Sequence, residues 1–106
     1  MLERDIERKS GEYAKERGVA HYKFTSPARA AVPDRVLLQE IPEFLRPLIA
    51  RYIRFVEYKR TGETATAPQE REHNRLRGMG FTVHVVDSVP DGQAVIDAMV
   101  NGDVNP

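Results

Sequence analysis

Apolar residues recur along the chain with spacings that distinguish helices from strands. Residues 3–17 place apolar side chains about one helical turn apart among charged ones, which predicts an amphipathic helix that ends at Gly18. Residues 41–50 are also apolar, but Pro42 and Pro47 interrupt them, so a short helix or an ordered loop fits better than a strand. Short apolar runs that predict strands occupy residues 19–24, 35–38, 52–58 and 81–86.

Two further helices are predicted from the same kind of start. Thr66-Ala67-Pro68-Gln69 and Ser88-Val89-Pro90-Asp91 each place a hydroxyl three residues before a side chain that can reach back, with an early proline. The order becomes α-β-β-(insert)-β-α-β-α. Because the strand-helix-strand passage after residue 52 favours a right-handed crossover, we expect an α/β fold with a mixed β-sheet of about four strands flanked by helices.

Composition and charge narrow the class of protein. The chain has 106 residues, enough for one domain with one core, and 41% of them are hydrophobic. Sixteen basic and 16 acidic residues give a net charge of zero, which argues against binding to nucleic acid through one large basic field, although local clusters can still bind it. The absence of cysteine excludes disulfides, thiolate zinc sites and cysteine nucleophiles. Since no apolar signal core or membrane span is evident, we expect a soluble, cytoplasmic protein.

One group of residues has the chemistry of a cation site. Glu57 and Lys59 stand two residues apart near the end of a predicted strand, so their side chains share one face. Tyr58 between them points to the other face and turns its backbone carbonyl toward the sheet edge, and Asp34 opens a neighbouring predicted strand. Two carboxylates and a carbonyl suit Mg²⁺, which prefers oxygen ligands. A lysine beside them would position the attacking hydroxide or offset charge in the transition state.

Each part of this group also has a structural interpretation. A Glu-x-Lys triplet at a strand end is commonly a solvated pair, and Pro33-Asp34 is a common way to start a turn. The three histidines lack the spacing of metal ligands. His84 stands between two valines, as a residue on the solvent face of a strand would.

Five segments of the chain stand in the order that a known family shows. They are Lys23-Phe24-Thr25-Ser26-Pro27, Val32-Pro33-Asp34-Arg35, Phe55-Val56-Glu57-Tyr58-Lys59, Gln69 with the Glu-Arg-Glu-His run after it, and Gly80-Phe81-Thr82-Val83-His84-Val85-Val86. In these segments, within about residues 3–88, the chain resembles the virus-type replication-repair nuclease (VRR-Nuc) domain of the PD-(D/E)xK nuclease superfamily. The resemblance implies a single nuclease domain over residues 1–106, with a restriction-endonuclease-like core, of the stand-alone phage type.

The resemblance also implies a set of site residues. Asp34 and Glu57 would hold Mg²⁺ or Mn²⁺ together with the carbonyl of Tyr58, and Lys59 would activate water. The products would carry 5′-phosphate and 3′-hydroxyl ends, as expected of a DNA endonuclease in replication or repair. Similarity to junction resolvases makes branched or four-way junction DNA the expected substrate.

A further acidic ligand is implied on the first helix, where Glu3 and Glu7 lie on one helical row. We choose Glu7, because its distance from Gly18 is similar to that of the acidic position in archaeal Holliday-junction resolvases; a solvated helix face is the alternative for both. Gln69 matches the active-site glutamine of the family, but it is also the reaching side chain of a predicted capping box. Those two roles compete for one side chain.

Two features depart from the family pattern. The family has glycine near the residue before Val-Pro-Asp, where this chain has Ala30-Ala31, and residues 39–54 exceed the tight hairpin expected between the metal-binding strands. Neither feature touches the core residues, so neither indicates an inactive enzyme.

The expected partners are DNA and a second copy of the chain. The apolar residues 41–53 exceed what a small domain can readily bury, which predicts a homodimer with this segment in the interface. A non-catalytic DNA-binding or assembly module that keeps the nuclease fold is the rival interpretation, and loss of a metal ligand would mark it. An α/β interaction protein with accidental motifs is a third. Candidates for contacts with DNA phosphates are Lys23, Arg35, Arg60 and Arg71.

Overall fold

The computed structural model describes residues 1–25 and 33–103. The chain divides into two compact units, Met1–Glu40 and Ile41–Pro106. Its elements follow the order α-β-β-(insert)-β-α-β-α, which confirms the order predicted from the sequence. The Ser26-Pro27 pair of the first family segment and the Ala30-Ala31 pair lie outside the described residues.

The first unit consists of one helix and a pair of antiparallel strands. Helix α1 spans Glu3–Glu16, and strands β1 (Ala20–Lys23) and β2 (Arg35–Leu38) pair with Lys23 opposite Arg35. Gly18 adopts a φ of 76°, a conformation that glycine tolerates better than other residues, and the chain leaves the helix there as predicted. The amide of Phe24 donates to the carbonyl of Asp34 over 2.8 Å, so the ladder extends to Asp34.

The insert at the start of the second unit is helical. A 3₁₀ turn at Glu43–Leu45 leads into helix α2, Arg46–Tyr52, with Pro47 in its first turn, where a helix needs no amide donor from that residue. Of the two forms expected for this segment, a short helix or an ordered loop, the structure shows the helix. It also shortens the following strand: β3 spans Phe55–Tyr58, because Tyr52 belongs to α2 and Ile53 is its C-terminal cap.

The rest of the second unit is a strand-helix-strand-helix sequence. Helix α3 (Ala67–Gly78) joins β3 to strand β4 (Val83–Val86), and the two strands are parallel, as a crossover connection requires. Helix α4 follows at Val89–Asn101 and ends at Gly102, whose φ is 74°. The side chains that fill this core share low exposure and apolar character: Ile41, Ala50, Leu76, Phe81, Val83 and Val86.

Helices α3 and α4 pack on opposite faces of the β3–β4 pair. Glu57 contacts His73 of α3, whereas the neighbouring Tyr58 approaches Gly92 of α4, so successive residues of β3 face different helices. The prediction of an α/β fold with helices on the sheet faces is therefore confirmed for this unit.

The strands of the described ranges form two sheets of two strands, β1–β2 and β3–β4. The mixed sheet of about four strands stays a prediction. Among the helices of these ranges, none is both long and apolar enough to cross a bilayer.

Candidate functional site

Glu57 lies one residue before the end of β3, and its carboxylate opens into a groove between β3 and α3. We call this the α3 groove; its volume is about 440 Å³. About a third of the Glu57 side chain is exposed (32%), so the carboxylate is open to solvent as well as to the helix. Residues that line the groove are Phe55, Glu57, Gln69, His73, Leu76 and Val83.

His73 is a buried residue in the lining of the α3 groove. The residue is only 5% exposed, and its Nε2 lies 3.3 Å from Oε1 of Glu57. An ionised carboxylate only accepts hydrogen bonds, so a hydrogen bond in this contact requires a proton on Nε2. The other ring nitrogen, Nδ1, is buried and has no hydrogen-bond partner among the described residues.

The ring and the backbone carbonyl of Tyr58 point in different directions. Its ring lies on the α4 side, and the residue is 66% exposed. The amide of Phe55 donates to the carbonyl of Thr82, just before β4, over 3.0 Å, and the amide of Lys59 donates to the carbonyl of Val86 over 2.9 Å. Because backbone groups alternate in direction along a strand, the carbonyl of Tyr58 points to the edge of β3 that faces away from β4. This direction agrees with strand alternation, and the role of the carbonyl as a metal ligand stays a prediction.

Lys59 follows the last residue of β3. It lines a second groove, of about 560 Å³, together with Tyr58 and the first turns of α4; we call this the α4 groove. The structure gives its ammonium no ion pair or hydrogen bond within the described ranges. The prediction that Glu57 and Lys59 share one face assumes that the strand continues through both residues. Because β3 ends at Tyr58, the proximity of their two side chains stays a prediction.

Gln69 takes the capping role that the sequence predicted. Its side-chain oxygen accepts from the amide of Thr66 over 3.0 Å, and its own amide donates to the Thr66 hydroxyl over 3.3 Å. Gln69 also lines the α3 groove with Glu57. The competition between a cap and a catalytic role therefore holds in the structure, and the second role stays a prediction.

In the first unit, Glu7 of α1 is paired with Arg35 at the start of β2 by a hydrogen bond and an ion pair. Both side chains are about one third exposed, at 38% and 32%. Asp34, the preceding residue, is exposed, and so is Glu3. Of the two candidates on α1, Glu7 is the one in contact with the strand that Asp34 opens.

The four candidate phosphate contacts differ in their availability. Lys23 is exposed at the end of β1, whereas Arg35 is occupied by Glu7. Arg60 is exposed and forms an ion pair with Glu63 over 2.7 Å, and Arg71 is exposed on α3. Exposed ion pairs contribute little to stability, so a phosphate can compete for Arg60 at small cost.

The donors of the second unit have the chemistry of a hard-cation site. Glu57 offers a partly exposed carboxylate, and Tyr58 offers a carbonyl at a strand edge; oxygen ligands of both kinds suit Mg²⁺. Within each unit, the described residues contain no group of three or more histidine and acidic side chains arranged to hold a metal. The predicted metal ligands include Glu7 and Asp34 of the first unit and Glu57 of the second. The complete ligand set therefore stays a prediction.

His84 occupies a different environment from the one the sequence indicated. It is half-buried rather than on an open solvent face, and Nη1 of Arg54 lies 3.3 Å from its Nε2. Burial, and then the charges of Arg54 and Arg77, lower the pKa of His84 below its ordinary value of 6.5. The two arginines also donate to the carbonyls of Ala50, Asp103 and Val83, which fixes them beside the ring.

Sequence reasoning did not single out His73 as a partner of Glu57. A signal was present, because His73 stands three residues before Leu76 in α3, and residues at that spacing share a helix face. A helix that buries Leu76 against β3 also turns His73 toward that strand.

The chain is 42% identical over 71 residues to a protein named "Putative nuclease p44" from Acyrthosiphon pisum secondary endosymbiont phage 1. The aligned stretch covers 67% of this chain and 66% of the phage protein, just under two thirds of that protein's length. No model of a known protein family matches the chain. No solved structure matches it.

Proposed function

We propose that the protein is a Mg²⁺- or Mn²⁺-dependent DNA endonuclease of the VRR-Nuc type. The observation that carries the proposal is the place of Glu57, a carboxylate open to solvent at the end of a parallel strand and followed by the carbonyl of Tyr58 and by Lys59. The name of the phage relative supports the nuclease class.

In this proposal each residue has one task. Asp34 and Glu57 hold the cation through carboxylate oxygens, and Glu7 and the carbonyl of Tyr58 add further oxygen ligands. When bound, the cation polarises the phosphate and lowers the pKa of its water ligand. Lys59 holds the attacking hydroxide near the phosphorus and offsets the negative charge that develops there. Lys23, Arg60 and Arg71 hold the DNA backbone as phosphate contacts, and Arg35 joins them where a phosphate replaces Glu7 as its partner.

The expected substrate is branched or four-way junction DNA, and the expected assembly is a homodimer. The support for a dimer is an apolar surface on α2 and the turn before it. Phe44, Leu48 and Tyr52 are 81%, 53% and 67% exposed, and the last two lie four residues apart on one helix face. A second copy of the chain would remove these side chains from water and bring two sites to the two strands of a junction.

The rival function is a non-catalytic DNA-binding or assembly module with the same fold. Loss of a metal ligand would favour it. This chain retains Asp34, Glu57 and Lys59. The catalytic proposal is therefore the stronger of the two.

A panel of linear, flapped and four-way junction DNAs, incubated with Mg²⁺ or Mn²⁺, tests the proposal. Calorimetry with Mn²⁺ on the native protein and on Asp34→Asn and Glu57→Gln gives the matching binding result. We expect metal-dependent cleavage of the branched DNAs, and weaker binding and cleavage in both variants. A native protein that neither binds Mn²⁺ nor cuts any DNA of the panel would refute the proposed function.

A further inference from the structure

We propose that His73 is a positioning residue for the carboxylate of Glu57, an inference that rests on the metal-dependent function proposed above. Nε2 of His73 lies 3.3 Å from Oε1 of Glu57, across the α3 groove from helix to strand. The contact joins the His73 side chain, which is 7% exposed, to the Glu57 side chain, which is 32% exposed. The buried His73 ring can therefore fix the position of the Glu57 carboxylate.

The state of the imidazole ring follows from its partners. Because the carboxylate accepts and Nε2 donates, a neutral ring carries its proton on Nε2 and leaves the lone pair on Nδ1. Nδ1 is buried without a hydrogen-bond partner in the described part of the chain. A buried acceptor without a partner opposes folding, so His73 is a poor choice if its only task is to fill space.

An apolar residue would fill the same space without an unpaired polar atom. Leu76, three residues further along α3, packs on the same face of the helix and is buried. The ring of His73 differs from such a residue in one useful respect, which is the proton that it offers to Glu57. We therefore assign its function to that hydrogen bond.

The hydrogen bond gives the two carboxylate oxygens of Glu57 different partners. Oε1 accepts from His73, so the carboxylate cannot rotate freely about its last bond. Oε2 is then the oxygen left for a cation on the open side of the groove. Ligating carboxylates are commonly held by such a hydrogen bond, and loss of the partner typically weakens metal binding about 10- to 100-fold.

Three variants separate this role from packing. His73→Leu keeps an apolar side chain at the site and removes the donor, whereas His73→Gln restores an N–H donor on a side chain of similar reach. Leu76→Val is the matched control, because it disturbs the packing of the same helix face and leaves the contact between His73 and Glu57 in place.

Mn²⁺ affinity measured by calorimetry is the first readout, with thermal unfolding as a check on the fold. We expect His73→Leu to bind Mn²⁺ about 10- to 100-fold more weakly, His73→Gln to recover part of that loss, and Leu76→Val to bind as the native protein does. An affinity of His73→Leu within twofold of native, in a protein whose Glu57→Gln variant loses binding, would overturn the positioning role and leave the proposed function intact. A native protein without Mn²⁺ affinity would instead overturn the proposed function and this inference with it.

Nitrogen NMR of the metal-free protein gives a second readout that needs no activity. The ¹⁵N shifts of the His73 ring report which nitrogen carries the proton. We expect the proton on Nε2. A neutral ring with its proton on Nδ1 alone would contradict the inference, because Nε2 would then have nothing to donate.

Discussion

Arg35, the residue that follows Asp34, donates a hydrogen bond to the carboxylate of Glu7 and forms an ion pair with it. This contact joins helix α1 to the first residue of β2, and it places the Glu7 carboxylate against the strand that Asp34 opens. Glu3 lies one helical turn earlier and is exposed. The structure thus distinguishes Glu7 from Glu3, although both lie on one row of the helix.

Glu7→Gln should weaken Mn²⁺ binding and DNA cleavage together, by about tenfold or more, because it removes a negative charge from a hard-cation site. Glu3→Gln is the matched control, with the same change of charge on the same helix. Calorimetry and cleavage rates on both variants test the choice between them. Equal losses in the two variants, or a loss in Glu3→Gln alone, would show that the wrong residue was chosen.

Gln69 can be tested for a role beyond its cap. Thr66→Ala removes the capping hydroxyl and should lower the free energy of unfolding by about 1 kcal/mol, with little effect on the cleavage rate. If Gln69 also acts in the site, Gln69→Ala should lower the cleavage rate well beyond any effect of Thr66→Ala at equal stability. Two variants with the same cleavage rate would assign Gln69 to the cap alone.

The environment of His84 should make stability sensitive to acid. Its pKa is lowered in the folded protein, so below pH 6.5 the unfolded chain binds a proton at His84 that the folded chain resists. Stability should therefore fall as the pH drops from about 6.5 to the folded pKa, and His84→Gln should lack that part of the loss. Denaturant titrations across this range measure it, and an NMR titration of Arg54→Gln should show a raised His84 pKa. A His84 pKa at or above 6.5 in the native protein would contradict this account.

The exposed apolar surface of α2 predicts the state of association. Light scattering on the purified protein should give the mass of a dimer at micromolar concentration. Leu48→Glu places a charge on this surface and should give a monomer, whereas Tyr58→Glu, at an exposed aromatic residue of β3, is the control and should stay dimeric. A native monomer would refute the dimer, and a dimer that survives Leu48→Glu must use another surface.

Local signals in the sequence were sufficient for the order of the elements and for the ends of the helices that carry caps. The hydroxyl and glutamine of the α3 start form the predicted capping box, and Gly18 and Gly102 end their helices with positive φ values. Such features depend on residues within one turn of each other, so a sequence pattern contains all the information they need. The parallel pairing of β3 with β4 also followed, because a helix between two strands requires a crossover.

Features that depend on residues outside the strand pattern itself did not follow from it. The apolar spacing at residues 52–54 fits a strand, but Pro47 starts a helix that takes up Tyr52, which shortened β3. The half-burial of His84 depends on Arg54 and Arg77, which the strand alternation around His84 does not contain. Likewise the contact between His73 and Glu57 required knowing which face of α3 packs on β3.

The most direct test of the proposed site is the single-turnover cleavage rate of Lys59→Ala on junction DNA with Mg²⁺. Lys59 carries a charge that cannot bind a cation, so the variant should bind Mn²⁺ and DNA nearly as the native protein does while its rate falls about 100- to 1000-fold. Arg60→Ala, the neighbouring exposed cation, should weaken DNA binding but keep the rate at saturating DNA. Cleavage by Lys59→Ala at the native rate would contradict the account.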